Sequence, residues 1–348
     1  MFHLTKEGIP YGTIILGSHA TWLDRHAAEE LRSYVKKLSG ATLIITHERY
    51  ASSIEGGKIL IGRASTSDIV GAFAAHYPDV LPEESDTEND CVAYAVRGDT
   101  LVISGSNDRS VYYSVCHLLQ TEFGVGFYWD RDVFEKKCSL SLPDGLTLVE
   151  RSEFKMRHTI GQWVYNYGAF LNEAERREEL DKYARNKINS YRLYSWNSYA
   201  RKKTFIELGL TGIEITAEDI ARRDMVRDSI EYAQSLGMEV MVPLIPDETT
   251  LEFRALYPNA RYFGCEWVKD DNAAPQTIPC LYPEDPMYKT FIQTFVKVWI
   301  EAYGPTSNFV CCPPAEHHIS TGVEDFININ INYSKYTYEA LHELIPSA

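Results

Sequence analysis

From residue 151 onward, short apolar runs alternate with longer stretches of helical periodicity, and this alternation narrows the fold more than any other feature of the chain. Residues 154–162 (FKMRHTIGQ), 188–196 (INSYRLYSW), 239–246 (EVMVPLIP) and 309–312 (FVCC) read as strands. The near-continuous apolarity of the last two is what a parallel sheet covered on both faces requires. Between them, 173–186 places Leu180, Tyr183 and Ala184 on one helical face. Thr216 and Asp219 have capping-box spacing for a helix that ends at Leu236-Gly237. Residues 287–303 carry Phe291, Phe295, Val298 and Trp299 on an inner face, and 334–344 read as a last helix. Such alternation builds βα units around a parallel sheet. A full barrel takes eight units in ~250 residues. About four are present here, which predicts a TIM-barrel-like (β/α) domain truncated after its fourth strand. Residues 247–286, rich in Pro, Asn, Asp and aromatics, read as a long structureless insertion of the kind that walls an active site.

Residues 1–150 are organised differently. Strands at 11–17, 41–46, 58–62, 91–96, 100–104 and 124–129 interleave with helices over 66–76 and 108–123 and one that Asp24 would cap and Gly40 would end. Gly98-Asp99 is a hairpin signal. The order predicts a mixed α/β layer domain over 1–150, followed by the barrel-type domain over 151–348, so the fold class is α/β throughout. Gly105-Ser-Asn-Asp108 stands between a strand and a helix, where a phosphate could sit, but it lacks dinucleotide and P-loop spacing. A turn with Asn and Asp capping the helix accounts for it. No cofactor or metal motif emerges, so neither is expected.

The net charge of −15 disfavours nucleic acid, whose binding needs basic surface. No run approaches the 18 or so apolar residues that span a bilayer, and no secretory signal is visible at Met1, so no membrane partner is expected. The cysteines at 91, 116, 138, 265, 280, 311 and 312 are odd in number and contain no CxxC pair. Reduced thiols in a cytoplasmic setting fit this pattern, with Cys311 and Cys312 buried as small hydrophobes.

The residues with chemistry to offer follow the strand ends, where barrel sites are built. Glu316 comes just after 309–312 and the strand-ending Pro313-Pro314. Its apolar, cysteine and proline neighbours would raise its pKa and suit it to donate a proton; the alternative is a surface carboxylate. Asp247 and Glu248 follow the third strand, either as sugar-binding or second catalytic carboxylates or as charged loop residues. Trp163, Trp196 and Asn197 lie where strands enter loops and could stack on and bind a sugar, or serve packing and capping. His317 and His318 are adjacent, so an extended backbone points them apart and only one can face a substrate. His158 and Arg157 share the first strand, and one of them should face the barrel interior. Arg157 or Arg192 could clamp a uronate.

Three stretches carry a family likeness. Residues 28–40 (AEELRSYVKKLSG) resemble the pattern AAxELxxYLxKxTG. Residues 104–128 (SGSNDRSVYYSVCHLLQTEFGVGFY) resemble GxxxRGxLYAVYxLLExxFGVRWY, and 181–189 (DKYARNKIN) resemble WMAxNKMN. In these the chain is similar to glycoside hydrolases of the alpha-glucuronidase, alpha-N-acetylglucosaminidase and hexosaminidase-like group, in which a small α/β domain precedes a (β/α)8 barrel. The resemblance implies hydrolysis of O-glycosidic bonds in a glycan, or in a uronic-acid or amino-sugar glycoside, with Glu316 as general acid. Ala315 stands where an Asn or Asp often precedes that Glu, and the hexosaminidase Asp-Glu pair is absent. The resemblance also implies later strands bearing the second carboxylate. With four strands alone, the expected alternative is a non-catalytic, carbohydrate-binding half-barrel whose open edges a second copy or another partner covers.

Overall fold

Local capping sets the first long helix. The computed structural model describes residues 1–84, 89–158, 171–192, 198–244, 248–266, 277–306, 308–311, 318–319 and 323–347. These fall into two units, Met1–Thr159 with Ala174–Ser190 and Tyr232–Met238, and Ile160–Glu173 with Tyr191–Glu231 and Glu239–Ala348. Among the described residues no helix is long and apolar enough to cross a membrane.

The first unit begins with β1 (Phe2–Lys6), β2 (Ile9–Pro10), β3 (Gly12–Leu16), α1 (Trp22–Ser39) and β4 (Ile44–His47). It continues through β5 (Gly57–Ile61), α2 (Asp68–His76), β6 (Cys91–Arg97), β7 (Thr100–Gly105) and α3 (Asp108–Thr121). Four short strands follow, β8 (Gly126–Phe127), β9 (Asp132–Val133), β10 (Leu140–Leu142) and β11 (Thr147–Arg151). Six of the strands form one sheet in the order β11-β6-β7-β5-β3-β4. β4, β3, β5 and β7 run parallel, while β6 and β11 are antiparallel additions at one side. Ile15, Leu60, Val102 and Ala95 are cross-strand neighbours on one face and meet Val70 and Phe73 of α2. Their alternates Ile14, Ile59, Ile61, Leu101 and Ile103 are equally buried, which is why these strands read as unbroken apolar runs. The sheet of β10, β1 and β2 was not anticipated, and the strand expected over 124–129 is reduced to the two residues of β8.

Thr21, rather than the expected Asp24, caps α1. Its hydroxyl accepts the Asp24 amide at 3.2 Å while the Asp24 carboxylate accepts the Thr21 amide at 2.9 Å. The helix ends at Gly40, whose φ of 82° is the left-handed conformation expected there. The 105–108 turn is a helix cap, as read from the sequence: the Asn107 side chain accepts the Ser110 amide at 2.9 Å. Gly105 is required because a Cβ there would lie 2.5 Å from that of Ser110. At the start of α2, Glu48 supplies a buried carboxylate that accepts the Ser18 amide at 2.6 Å, the Ser67 hydroxyl at 2.8 Å and the Ile69 amide at 3.4 Å. Burial opposes its charge, but these bonds prevail and bring its pKa down to about 2.

Asp90, almost fully buried, gathers the rest of this unit. It accepts from Arg109 Nε and Asn107 Nδ2, each at 2.8 Å, from Arg157 and from Asn189 Nδ2 at 3.3 Å. Arg157 also donates to the Lys187 carbonyl at 2.6 Å and the Phe154 carbonyl at 2.9 Å, and Arg109 to the Gly237 carbonyl at 3.0 Å. Asn189 returns the contact, donating to the Lys155 carbonyl at 2.8 Å and accepting the Arg157 amide at 2.7 Å. Side chains therefore take the backbone groups that a strand over 154–158 would use, and the expected strand is absent from that described stretch. A single parallel bridge joins His158 to Ser190. Arg157 is thus committed to Asp90 and does not serve as a uronate clamp.

The 181–189 motif has a structural meaning in the same place. α4 (Glu173–Arg185) ends before Lys187, which turns the chain at φ 62°, an uncommon value for a side-chain-bearing residue. The Lys187 ammonium reaches Gln120 at 2.9 Å, Asn186 bonds the Phe127 carbonyl at 3.2 Å, and the Tyr113 hydroxyl bonds the Ile188 carbonyl at 3.0 Å.

The second unit carries β12 (Ser190–Arg192), α5 (Ser198–Glu207), α6 (Ala217–Ser235), β13 (Glu239–Leu244), α7 (Leu251–Leu256), β14 (Tyr262–Glu266) and β15 (Thr277–Leu281). It closes with α8 (Pro286–Tyr303), β16 (Phe309–Cys311), β17 (His318–Ile319) and α9 (Val323–Leu344). β12, β13 and β16 lie side by side in that order, and β13 and β16 are parallel with Val242 opposite Phe309 and Leu244 opposite Cys311. The expected capping box opens α6, with Thr216 Oγ1 accepting the Asp219 amide at 3.2 Å. The 247–286 insertion is not structureless. Thr250 caps α7, and β15, β14 and β17 make an antiparallel sheet. α9 starts eleven residues earlier than the expected 334.

Removing the Asp90 charge tests the role of this hub. Asp90→Ala should cost about 3–5 kcal/mol in urea unfolding, because two guanidinium groups lose their buried partner. Burial works against the Asp90 carboxylate, yet Arg109, Asn107 and Arg157 outweigh it and hold its pKa below the ordinary value. Its contribution is therefore complete above the unfolded value of about 3.9 and is lost as pH falls through the lower folded value. Below about pH 4 the wild type should lose stability faster than Asp90→Asn.

Candidate functional site

Parallel β13 and β16 end side by side at Leu244 and Cys311, and Asp247, Glu248, Glu316 and His317 follow these ends within six positions. Of the sequence-predicted residues, Trp163, Trp196, Asn197, Asp247, Glu316 and His317 lie outside the described residues, as does Cys312. Glu316 comes five residues after Cys311 and two before His318. The described flanks of 312–317 belong to two different sheets, since β17 pairs with β14 through His318 opposite Glu266 and Ile319 opposite Cys265. His158 is half-buried at its bridge to Ser190.

Glu248 is described, and its surroundings are specific. Its residue is 5% exposed, and its backbone forms an antiparallel bridge with Cys280. Arg201 holds it twice, with Nη1 3.1 Å from the carboxylate Oε2 and Nη2 2.9 Å from the Glu248 carbonyl. The next residue is fixed as well: the Thr249 amide and hydroxyl both bond the Pro279 carbonyl, at 2.9 and 2.6 Å. Glu248 is therefore an acceptor-only carboxylate with a defined position, four residues beyond the end of β13.

The arginine that fixes it was missed by sequence reasoning, because α5 itself was missed. Phe205 of α5 packs on Phe253 of α7 and Phe291 of α8, each with ring centroids 5.5 Å apart, and Phe253 meets Phe291 edge-on at 5.8 Å. Arg201 lies one helical turn before Phe205, with its guanidinium 6.0 Å from that ring. An aromatic trio thus orients the face of α5 from which Arg201 reaches Glu248. The available signal was the i, i+4 pair Arg201 and Phe205 in a segment with few apolar residues. Among the described residues Cys91, Cys116, Cys138, Cys280 and Cys311 are joined by no disulfide, and Cys311 is half-buried rather than fully enclosed.

No protein-family model and no curated protein matches the sequence. Solved structures do match. A family 89 glycoside hydrolase from Clostridium perfringens, in complex with 2-acetamido-1,2-dideoxynojirimycin, aligns with a TM-score of 0.63 at 15% identity, over 95% of this chain and 37% of its own. A β-hexosaminidase from Streptomyces plicatus in complex with GlcNAc aligns at 0.56 and 15% identity, over 99% and 61%. A family 115 4-O-methyl-alpha-glucuronidase with specificity for decorated arabinogalactans aligns at 0.55 and 12% identity, over 99% and 41%. The chain has a glycoside hydrolase fold of the α/β class. It spans a little over a third of the length of the family 89 enzyme.

The Arg201–Glu248 pair can be tested by itself. Arg201→Ala should lower stability by about 2–4 kcal/mol in urea unfolding, because the Glu248 charge is left buried without this partner. The double change Arg201→Met with Glu248→Leu should recover most of that loss.

Proposed function

We propose that this chain is a glycoside hydrolase acting on O-glycosidic bonds of a glycan, or of a uronic-acid or amino-sugar glycoside, with Glu316 as the general acid. In this reading residues 1–150 are an N-terminal α/β domain and 151–348 belong to a catalytic domain of the TIM-barrel type. The observation that supports it is the parallel pairing of β13 and β16, whose ends Asp247, Glu248 and Glu316 follow in the sequence, in a fold shared with glycosidases. Glu316 would give its proton to the leaving oxygen as the glycosidic bond breaks. Trp163, Trp196, Asn197, Asp247, His317 and His158 would contact the sugar. Glu248, fixed by Arg201, would bind sugar hydroxyl groups. In this reading the cysteines are reduced and the setting is cytoplasmic.

Glu316→Gln tests the assignment. Turnover of unactivated alkyl glycosides should fall by about 10²–10⁴-fold, and that of nitrophenyl glycosides by less, since a good leaving group needs little protonation. Equal loss on both substrate types, or no loss, would count against the acid role.

A second reading has its own observation. α9 buries Ile329, Tyr333 and Ala340, yet Ile327, Ile331 and Tyr338 on another face are 52%, 62% and 58% exposed. β16 is only half-buried along all three residues, where a fully covered strand was expected. An exposed apolar stripe on α9 and an incompletely covered strand each fit an assembly-dependent, carbohydrate-binding protein in which a second copy or another chain covers them. Light scattering should then show an assembly that Ile331→Glu dissociates, whereas a monodisperse wild-type monomer would exclude self-association.

A further inference from the structure

His26 of α1 is the middle ring of a three-ring stack. Trp22, one turn earlier on the same helix, lies over it with centroids 4.8 Å apart and 12° between the planes. Tyr112 of α3 covers the other face at 5.0 Å and 30°. The His26 Nε2 is buried and has no hydrogen-bond partner among the described residues. Trp22 is 48% exposed, so one wall of this slot is itself at the surface. The slot adjoins contacts that hold α4. The Tyr112 hydroxyl donates to the buried Glu30 carboxylate at 3.4 Å, and the same Glu30 oxygen accepts Arg185 Nε at 2.5 Å. Arg185 ends α4, and one turn earlier Asp181 accepts the Tyr232 hydroxyl at 2.7 Å.

A neutral imidazole fits this slot better than an imidazolium does. Protonation makes both ring nitrogens donors. The flanking ring faces attract a cation, but neither accepts an in-plane N–H, so the bond from the buried Nε2 would stay unmade. The new charge would also repel Arg185, whose guanidinium already holds Glu30. Burial accordingly keeps the His26 pKa below its ordinary value. Asp181 of α4 and Glu30 and Glu29 of α1 oppose that shift, and Arg185 adds to it.

We propose that His26 is an acid-sensitive latch, whose protonation opens the ring stack and loosens α4 from α1 and α3. The opened chain takes up the proton at the ordinary value of about 6.5, above that of the closed form. Closure is therefore complete above about pH 6.5 and is lost as pH falls below it, by up to about tenfold per pH unit. Asp181, whose carboxyl burial holds above its ordinary value, titrates in the opposite sense and cannot mimic this loss. His117 of α3 can. Burial lowers its pKa too, with Lys187 adding to the effect and Glu150 and Glu122 opposing it. The Tyr94 ring lies 6.2 Å from its own, and both of its ring nitrogens are buried without a hydrogen-bond partner among the described residues.

Hydrogen-exchange mass spectrometry of the full chain between pH 7.5 and 5.5, corrected for intrinsic exchange, tests the latch. The opening constant of peptides over α4 should rise by about three- to tenfold on acidification. His26→Phe, which keeps a stacked ring that takes no proton, should abolish the rise, whereas His117→Phe should retain it. An α4 insensitive to pH in the wild type, or a rise that persists in His26→Phe, would overturn the proposal. If His26→Phe does not fold, NMR titration of the His26 Cε1 proton in the wild-type chain decides, with the signal assigned through His26→Gln. A value below about 6.5 supports the latch, and one at or above it overturns the latch.

Discussion

A single dry carboxylate organises the first unit. Asp90 lies just before β6, far along the chain from Arg157 and Asn189, and all three are locked by charge-assisted bonds. Around them the 152–158 stretch, the turn at Lys187 and the N-terminus of α3 are fixed at once. Such a buried cluster adds modest net stability, because desolvation offsets much of its attraction, but its bonds are directional and reject other arrangements. This is why residues 174–190 group with the sheet of the first unit rather than with the strands that follow them.

Much of that unit was legible in the sequence, because the signals are local. Strands β3, β5 and β7 are unbroken apolar runs, and Gly40 and Asn107 mark a helix end and a helix start where local chemistry demands them. The misreadings arose where two periods overlap or where distant partners decide. In α9, Ile327, Ile329 and Ile331 alternate with asparagines at a spacing of two, which hides the helical set Ile329, Tyr333, Thr337 and Ala340. Within 154–158, the described part of the strand expected over 154–162, the backbone bonds go to Arg157 and Asn189, and no local pattern announces that.

The site divides along the same line. Position after a strand end is a sequence property, and it singled out Glu316, Asp247 and Glu248. What holds such a residue is not a local property. Glu248 depends on Arg201, forty-seven positions earlier, and Arg201 depends on three phenylalanines from three helices. A carboxylate is easy to nominate from a chain, whereas the shell that aims it is a tertiary fact.

The buried Glu48 has a wider consequence. Parallel strands followed by helices make the first unit look like a nucleotide-binding layer domain, whose usual anion site is the positive end of a helix after a strand. Here the protein has installed its own counter-ion: Glu48 occupies the amide of Ile69 at the head of α2 and that of Ser18 beyond β3. With a pKa of about 2 it stays ionised at any physiological pH. A free phosphate would have to displace a tethered anion present at very high local concentration. The scaffold of an anion receptor is kept, and at the head of α2 it is closed from within.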